Sequence, residues 1–492
     1  MLKSSLLEII RTLTPKELIK FEDFVNSPYF NKNKNVINLF IEIKKYAPEF
    51  NDENLEKEKV WQKLFPGKNY NYGIMKNIIH DLSKLSESFL TQEIYNNKEL
   101  QRNLDFLESI FDRNIKKYFE IKYETIEKSF KNNFEKKKIK FTGEYYYQQK
   151  ILTDFYESFL HNNSTQTKNK ISIIPSSEYL IYAFLIESFK MFHKVIGHSL
   201  QYNHPLNENI LYNFLVKLDE DKIIQEVLKY TKDKQSESYL ILKCYYNMFR
   251  ALRLNDNFEN FKEFKDSISL LTNILPKFEI RDLYFTSMTC LTNLKITLKD
   301  FSKEYFEVIL LCNNNKVLVN EDGTISPHLF LSIVNMACSR MELTFVENFI
   351  SEHTPKLPDD FREGHYNYAM ATLNFAKKNF NESLEYLAKI KNEGMRMKYH
   401  TKNMQLDIFY ELDDRESFEY AFDSLKHFSR KNKLSNESRI LVLIKYCGYL
   451  KAMFKLKDKF NSFEFDSLKK EIELNKVGNK AWLLRKLDEL KE

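Results

Sequence analysis

The chain has 492 residues, of which 43% are hydrophobic and 15% aromatic, and this apolar content excludes an intrinsically disordered chain. It has only 9 glycines and 10 prolines, so few of its turns need special backbone angles. The 75 basic and 69 acidic residues leave a net charge of +6, with both signs interleaved along the chain. Such a balance indicates a solvated surface and favours an acidic partner only slightly.

The five cysteines are odd in number, scattered and mostly flanked by apolar residues, which predicts buried free thiols in a reducing compartment. They are Cys244, Cys290, Cys312, Cys338 and Cys447. Glu8 and Arg11 interrupt the first apolar stretch, which therefore does not resemble a signal peptide. The longest apolar run, 179–186, is far shorter than the ~20 residues of a membrane helix. We therefore expect a cytoplasmic protein without membrane insertion.

Residues 1–96 predict a helical head domain. Thr14 can accept a hydrogen bond from a first-turn amide, Pro15 fits the first helical position, and Glu17 can bond back to Thr14. Further helices are predicted at 36–46, 55–64 and 72–95. The phrases NSPYFN and LFPG resemble the start of uncharacterised bacterial helical-repeat proteins, a likeness that implies no activity.

Residues 97–164 predict a connecting region of long helices. We expect one long helix or two abutting helices over 100–141, a break at Gly143 and a further helix over 145–160. Residues 165–177, at the end of a stretch rich in Asn, Ser, Thr and Lys, are the predicted linker. A new helix is expected to begin at Glu178, where the repeats of 178–475 start.

Residues 366–390 predict two amphipathic helices that fold back on each other. Ala371 and Ser383 are small enough for the helices to approach, and Phe380 fills the corner between them. Because neither helix can bury its apolar face alone, the pair needs neighbouring pairs.

Polar turns followed by an apolar or acidic corner residue recur along the chain. The equivalent corners are Ile223, Phe258, Phe301, Leu343, Phe380 and Asp414, separated by steps of 35, 43, 42, 37 and 34 residues. These steps are typical of helix-hairpin solenoids.

The stretch 366–428 resembles the tetratricopeptide family. It keeps the small residues Ala371, Ser383 and Ser417 and the aromatic corner Phe380, but it lacks the family's tryptophan, packing glycine and closing proline. The resemblance implies an all-α fold in which the head precedes an α-solenoid of irregular hairpins. A helix in 476–492 is expected to cap the last repeat.

The resemblance also implies that the first helix of each hairpin lines a concave groove. The candidate partner-binding residues on those helices are Lys243, Tyr246, Arg250, Arg253, Asn293, Asn335, Phe375, Lys402 and Tyr410. The first four share one helix face, because they are spaced by three and four residues. Arginine suits carboxylates and asparagine suits peptide amides, so the expected ligand is an acidic peptide segment. Thr289 and Leu331 stand where the family's carboxylate clamp needs lysine, so we do not expect terminal-carboxylate binding. The alternative is that the candidates are ordinary exposed or hairpin-interface residues.

A basic helix end offers a second hypothesis, binding of nucleic acid. Its candidate residues are Lys128, Lys131, Lys136, Lys137, Lys138 and Lys140. The alternative is a solvated helix end whose lysines complement the helix dipole.

The sequence contains no phosphate loop, HExxH, nucleophile elbow or CxxC motif. His193 and His198 are five residues apart, which places them ~140° apart around a helix and disfavours a metal site with His204. The leading hypothesis is a non-enzymatic protein-interaction scaffold with no cofactor or metal. The third hypothesis is an enzyme with an unrecognised site where head and solenoid meet, and the oligomeric state is left open.

Overall fold

The structure is a computed structural model, and it describes residues 4–137, 142–162, 173–202, 204–234, 236, 238–294, 301–320, 322–391, 394–431, 437–475 and 479–491. These residues form 24 α-helices and three short 3-10 helices, with no strand among them. The predicted all-α class is therefore confirmed. The chain divides into two compact units, residues 1–137 with 144–183, and residues 138–143 with 184–492.

The described residues of the first part of the chain form nine α-helices. They are α1 (Ser5–Thr12), α2 (Pro15–Asn26), α3 (Lys34–Lys44), α4 (Lys57–Leu64), α5 (Tyr72–Asn97), α6 (Glu99–Asp112), α7 (Lys116–Lys137), α8 (Gly143–Asn162) and α9 (Ile173–Tyr202). The capping box predicted at the start of α2 is present, since the Glu17 amide donates to Thr14 Oγ1 and the Thr14 amide donates to Glu17 Oε2. Phe21, Phe40 and Phe89 then pack at the centre of an apolar core built from α1 to α5.

Two predictions of helix boundaries in this part need correction or refinement. The stretch expected as one or two helices is two, α6 and α7, which a turn through Asn114 in the left-handed region separates. Helix α9 begins at Ile173, five residues before the predicted start, because Pro175 fits the first turn of a helix as well as the turn that precedes one. The boundary between the two units falls inside α9, at 183/184. Of the predicted linker, residues 173–177 are helical and 165–172 lie outside the described residues.

The later helices follow one another in pairs. They are α10 (Ile210–Glu220) and α11 (Ile223–Asp233), α12 (Ser238–Arg253) and α13 (Phe258–Ser269), α14 (Lys277–Thr292) and α15 (Phe301–Asn314), α16 (Pro327–Ser339) and α17 (Leu343–His353), α18 (Asp359–Ala376) and α19 (Phe380–Ala388), α20 (Met395–Glu411) and α21 (Arg415–Lys431), α22 (Glu437–Asp458) and α23 (Ser462–Leu474), with α24 (Lys480–Asp488) last. Each of these helices packs against the next, and first helices also contact each other in the pairs α12 with α14, α16 with α18, and α20 with α22. This nearest-neighbour packing is what a solenoid requires, and the solenoid itself stays a prediction.

The corner residues predicted from the sequence coincide with helix starts. Ile223, Phe258, Phe301, Leu343 and Phe380 are each the first residue of the second helix in a pair, and Asp414 immediately precedes α21. Three of the corners share one backbone conformation, in which Met341, Lys378 or Asp413 adopts a positive φ. In each, the amide of the following residue donates to the carbonyl five residues earlier, at 3.0, 2.9 and 3.0 Å. This bond closes the first helix in the manner of a Schellman motif.

The pair α18 and α19 shows why small residues are needed between paired helices. Ala371 and Ser383 are both fully buried, and the Ser383 hydroxyl donates to the Ala371 carbonyl at 2.8 Å. Such a bond to a helix backbone is reached only when neither side chain separates the helices. Phe380 lies 5.7 Å from Phe375, measured between ring centroids, and fills the corner as predicted.

Glycine is expected to stabilise the corner at Lys378. Lys378 is exposed and has a φ of 64°, a conformation that strains an L side chain and costs glycine nothing. Lys378→Gly should therefore raise the free energy of unfolding by about 0.5–1 kcal/mol, measured by urea denaturation. The control Lys398→Gly changes an exposed lysine inside α20 and should lower it by about 1 kcal/mol. Equal losses in both variants would contradict this account of the corner.

Candidate partner-binding site

Two of the four candidate residues of α12, Lys243 and Arg250, are accessible to solvent. Lys243 is exposed, with Nζ 5.8 Å from the centroid of the Tyr239 ring. Arg250 is about one third exposed, and its Nη1 lies 2.9 Å from Glu263 Oε2 on α13. An ion pair this accessible to solvent contributes little to stability, so Arg250 can exchange Glu263 for another carboxylate at small cost.

The other two, Tyr246 and Arg253, join α12 to the preceding helix pair. The Tyr246 hydroxyl donates to Asp219 Oδ1 and accepts from Gln225 Nε2, both at 2.6 Å, and the residue is 8% exposed. Arg253 pairs with Asp219 and, at 3.1 Å, with Glu220. Both side chains are therefore engaged between hairpins, which is the alternative that the sequence left open.

Helix α9 covers another part of α12 and reaches α14. Phe189 and Phe192 pack against Phe249 with ring centroids 5.4 and 4.8 Å apart. Glu279, 5% exposed by side chain, pairs with Lys190 of α9 and accepts a 2.6 Å bond from the Tyr245 hydroxyl of α12. A buried carboxylate is tolerated only when its charge is paired and hydrogen-bonded, so these contacts link α9, α12 and α14.

The candidates on α14 and α16 differ in exposure. Asn293 ends α14, where its carbonyl accepts a bond of 3.1 Å from Asn255 Nδ2. Asn335 is exposed on α16, and three polar residues at helical spacing from it are also exposed or half-buried. These neighbours are His328, Ser332 and Ser339. This polar strip on α16 is accessible over three turns of helix.

Of the candidates on α18 and α20, Phe375 and Tyr410 contact α24 and Lys402 contacts α21. Tyr410 is 1% exposed, and the Trp482 ring centroid lies 5.8 Å from its ring and 6.2 Å from that of Phe375. Lys402 donates to Ser424 Oγ on α21 at 2.6 Å, and burial lowers the pKa of Lys402. Phe375 and Tyr410 therefore contact the chain's own helix, so the predicted cap lies over α20 as well as against α23.

The buried carboxyl group of Asp407 lies near the contact between α20 and α24. Asp407 of α20 accepts bonds from the Tyr446 hydroxyl of α22 and, at 3.3 Å, from Asn479 Nδ2 at the start of α24. Burial raises the pKa of Asp407 to about 7, because these two bonds do not replace the lost hydration, and Glu411 on the same helix adds repulsion. Tyr368 of α18 also lies close enough to feel this charge. Asp407 was missed in the sequence, where the available signal was an acid between the apolar residues Leu406 and Ile408.

The structure reaches only part of the basic helix end. Lys128 is exposed, with Nζ 4.0 Å from Glu124 Oε2. Lys131, Lys136 and Lys137 belong to α7, with side chains outside the described part of the chain, and Lys138 and Lys140 lie outside the described residues. Nucleic-acid binding there stays a prediction.

The histidines weighed in the sequence make different contacts in the structure. His193 Nδ1 lies 3.2 Å from the Thr286 hydroxyl, whereas the rings of His198 and His204 stack at 5.2 Å. Among the described residues, no group of three or more His, Cys, Asp or Glu is arranged to hold a metal ion. The five cysteines are buried and free, as predicted. None of the helices that the structure describes is long and apolar enough to cross a membrane.

No protein-family model, no curated protein and no solved structure matches this chain. Its function is therefore inferred from the accessible and covered faces of its own helices.

Substitution of Asp407 is expected to change the pH dependence of stability. A carboxyl group whose pKa is 3.8 when unfolded and about 7 when folded binds its proton more tightly in the folded state. Protonated Asp407 therefore stabilises the folded state most at low pH. Its contribution to the free energy of unfolding decreases as the pH rises and is lost above about 7. In Asp407→Asn, the change in unfolding free energy between about pH 5 and about pH 8 should shrink by about 3 kcal/mol, measured by urea denaturation.

The matched control is Asp423→Asn on α21, where the side chain is exposed. It should keep the pH profile of the natural chain. An unchanged profile in Asp407→Asn would show that Asp407 is not the group that titrates.

Proposed function

We propose that this chain is a non-enzymatic scaffold that holds a segment of a partner protein on the exposed faces of its first helices. The observation that carries the proposal is the accessibility of Lys243, Arg250 and Asn335, while α9 and α24 cover adjoining parts of the same set of helices. The partner segment that fits these groups is acidic.

The chemistry of the three accessible residues sets the mode of binding. Arg250 can leave Glu263 and form a two-pronged pair with a partner carboxylate, which replaces one charged hydrogen bond with two. Lys243 adds a second positive charge two turns earlier on α12, and the Asn335 amide can both donate to and accept from a peptide backbone. Affinity then comes from a few anchors rather than from a large area.

The repeated geometry supports a solenoid arrangement for this scaffold. Corners with the same closing bond recur at Met341, Lys378 and Asp413, and every helix from α10 onward packs on its successor. A row of pairs built in this way presents its first helices side by side. We therefore retain the tetratricopeptide-like solenoid and its binding groove as part of the proposal, and the buried free thiols support a cytoplasmic location.

The two other hypotheses stand as sequence predictions. Nucleic-acid binding depends on lysines that are mostly outside the described side chains. An enzyme site where head and solenoid meet has no described group of residues in its favour.

The scaffold is tested by affinity capture from the native host with the full-length chain as bait. Lys243→Glu combined with Arg250→Glu should reduce recovery of the specific partner about tenfold or more, because two attractive charges become repulsive. Quantitative mass spectrometry of the bound fraction measures the loss. Capture by the natural chain should weaken between about 0.05 and about 0.5 M salt, since exposed charge pairs are screened.

The control carries the same change in net charge on second helices of other pairs. Lys229→Glu combined with Lys303→Glu changes exposed lysines on α11 and α15 and should keep the partner. Retention of every specific partner by Lys243→Glu with Arg250→Glu would overturn the proposed binding face.

A further inference from the structure

Helix α24 packs against α23 and also contacts α18 and α20 through side chains that recur at helical spacing. Asn479, Trp482, Leu483, Lys486 and Leu487 lie three or four residues apart or adjacent, so they form a single stripe. Leu483 and Leu487 are fully buried in a core shared with helices α20 to α23, and Trp482 is 6% exposed. This is the arrangement by which an amphipathic helix lies in an apolar groove.

Polar contacts at both ends of the stripe fix the direction and register of α24. Lys486 Nζ lies 2.8 Å from Glu411 Oε2 of α20, and both side chains are nearly buried. At the other end, Asn479 Nδ2 donates to Asp407. The face that α24 covers therefore selects a helix with an aromatic residue, a basic residue four positions later and leucines beside both.

Some polar groups between α24 and the helices that it contacts are buried without a hydrogen bond. Trp482 Nε1 and the Tyr410 hydroxyl are buried, and neither has a hydrogen-bond partner within the described residues. Asn479 has a φ of 51° and makes no side-chain cap bond to α24. Unpaired buried donors and a strained helix start each weaken the docked state relative to its apolar contact.

We propose that α18 and α20 form a helix-binding site in which α24 is an internal ligand, and that a partner protein's amphipathic helix displaces it. The displacing helix carries an aromatic residue for the Phe375 and Tyr410 side and a basic residue for Glu411. It gains over α24 if it also offers an acceptor to the Tyr410 hydroxyl. This inference rests on the proposed scaffold function and names a second partner chemistry, at a site distinct from the accessible residues of α12.

The test is a charge exchange at the pair of Glu411 and Lys486 in the full-length chain. Glu411→Lys repels the chain's own Lys486 and so loosens α24. Two fluorescein-labelled peptides are titrated against it, one with the natural sequence of residues 479–491 and one with Lys486→Glu. Fluorescence anisotropy should show that the Lys486→Glu peptide binds Glu411→Lys about tenfold or more tighter than the natural peptide does.

The natural chain should bind either peptide weakly, since α24 competes from within. A Lys486→Glu peptide that also carries Trp482→Ala should lose binding to Glu411→Lys. If folded Glu411→Lys, checked by circular dichroism, binds neither peptide, α24 is a fixed part of the core and the inference is wrong. Loss of the partner of α12 in the capture experiment would leave this result unaffected, so the two failures are distinguishable.

A second measurement keeps the inference testable if Glu411→Lys does not fold. Hydrogen exchange of the natural chain should be about tenfold or more faster in α24 than in residues 446–456 of α22, because α24 opens without its neighbours. Equal exchange in the two segments would overturn the inference. Light scattering could instead show a dimer that Trp482→Ala abolishes. That result would mean that α24 of a second copy occupies the site, and it would contradict the proposed separate partner.

Discussion

The helix pairs from α10 onward bury their apolar faces against neighbouring helices. Ala371 and Ser383 show the contact at its closest, with a hydroxyl of one helix bonded to the backbone of the other. Because each helix packs on its successor, the stability of one pair depends on those beside it. The corners at Met341, Lys378 and Asp413 share a positive φ and the same closing hydrogen bond.

The covering of these helices by α9 and α24 decides which side chains remain for binding. Tyr410 is buried under Trp482, and Phe249 of α12 packs against two aromatic rings of α9. Lys243 and the exposed strip on α16 stay accessible. In the proposed scaffold function, these two helices would restrict where a partner can bind.

Two buried acids mark the places where three helices meet. Glu279 is held by Lys190 and the Tyr245 hydroxyl, whereas Asp407 has only neutral donors. Burial with only neutral donors raises the pKa of Asp407, so the junction of α20, α22 and α24 contains a pH-sensitive group. The ion pair of Glu279 and Lys190 links α14 to α9.

The local features of the fold could be predicted from the sequence, and the long-range ones could not. Corners such as Phe380 are specified by a few adjacent residues, so turn chemistry and apolar spacing locate them. The start of α9 was placed too late because proline before a helix and proline in its first turn look alike in sequence.

The binding face was harder to predict than the corners. Spacing correctly placed Tyr246 and Arg253 on one face of α12, but it could not show that Asp219, 34 residues before Arg253, lies against them. The same limit applies to Tyr410 and Trp482, which only the folded chain brings together.

Hydrogen exchange after Ala371→Leu tests most directly whether the pairs depend on their neighbours. The larger side chain must force α18 away from α19, since both contact residues are fully buried. Amide exchange is expected to rise in α16 to α20 and to stay unchanged in α10 to α13. An equal rise through all of these helices would contradict the account, because it would show one cooperative core instead of a row of helix pairs.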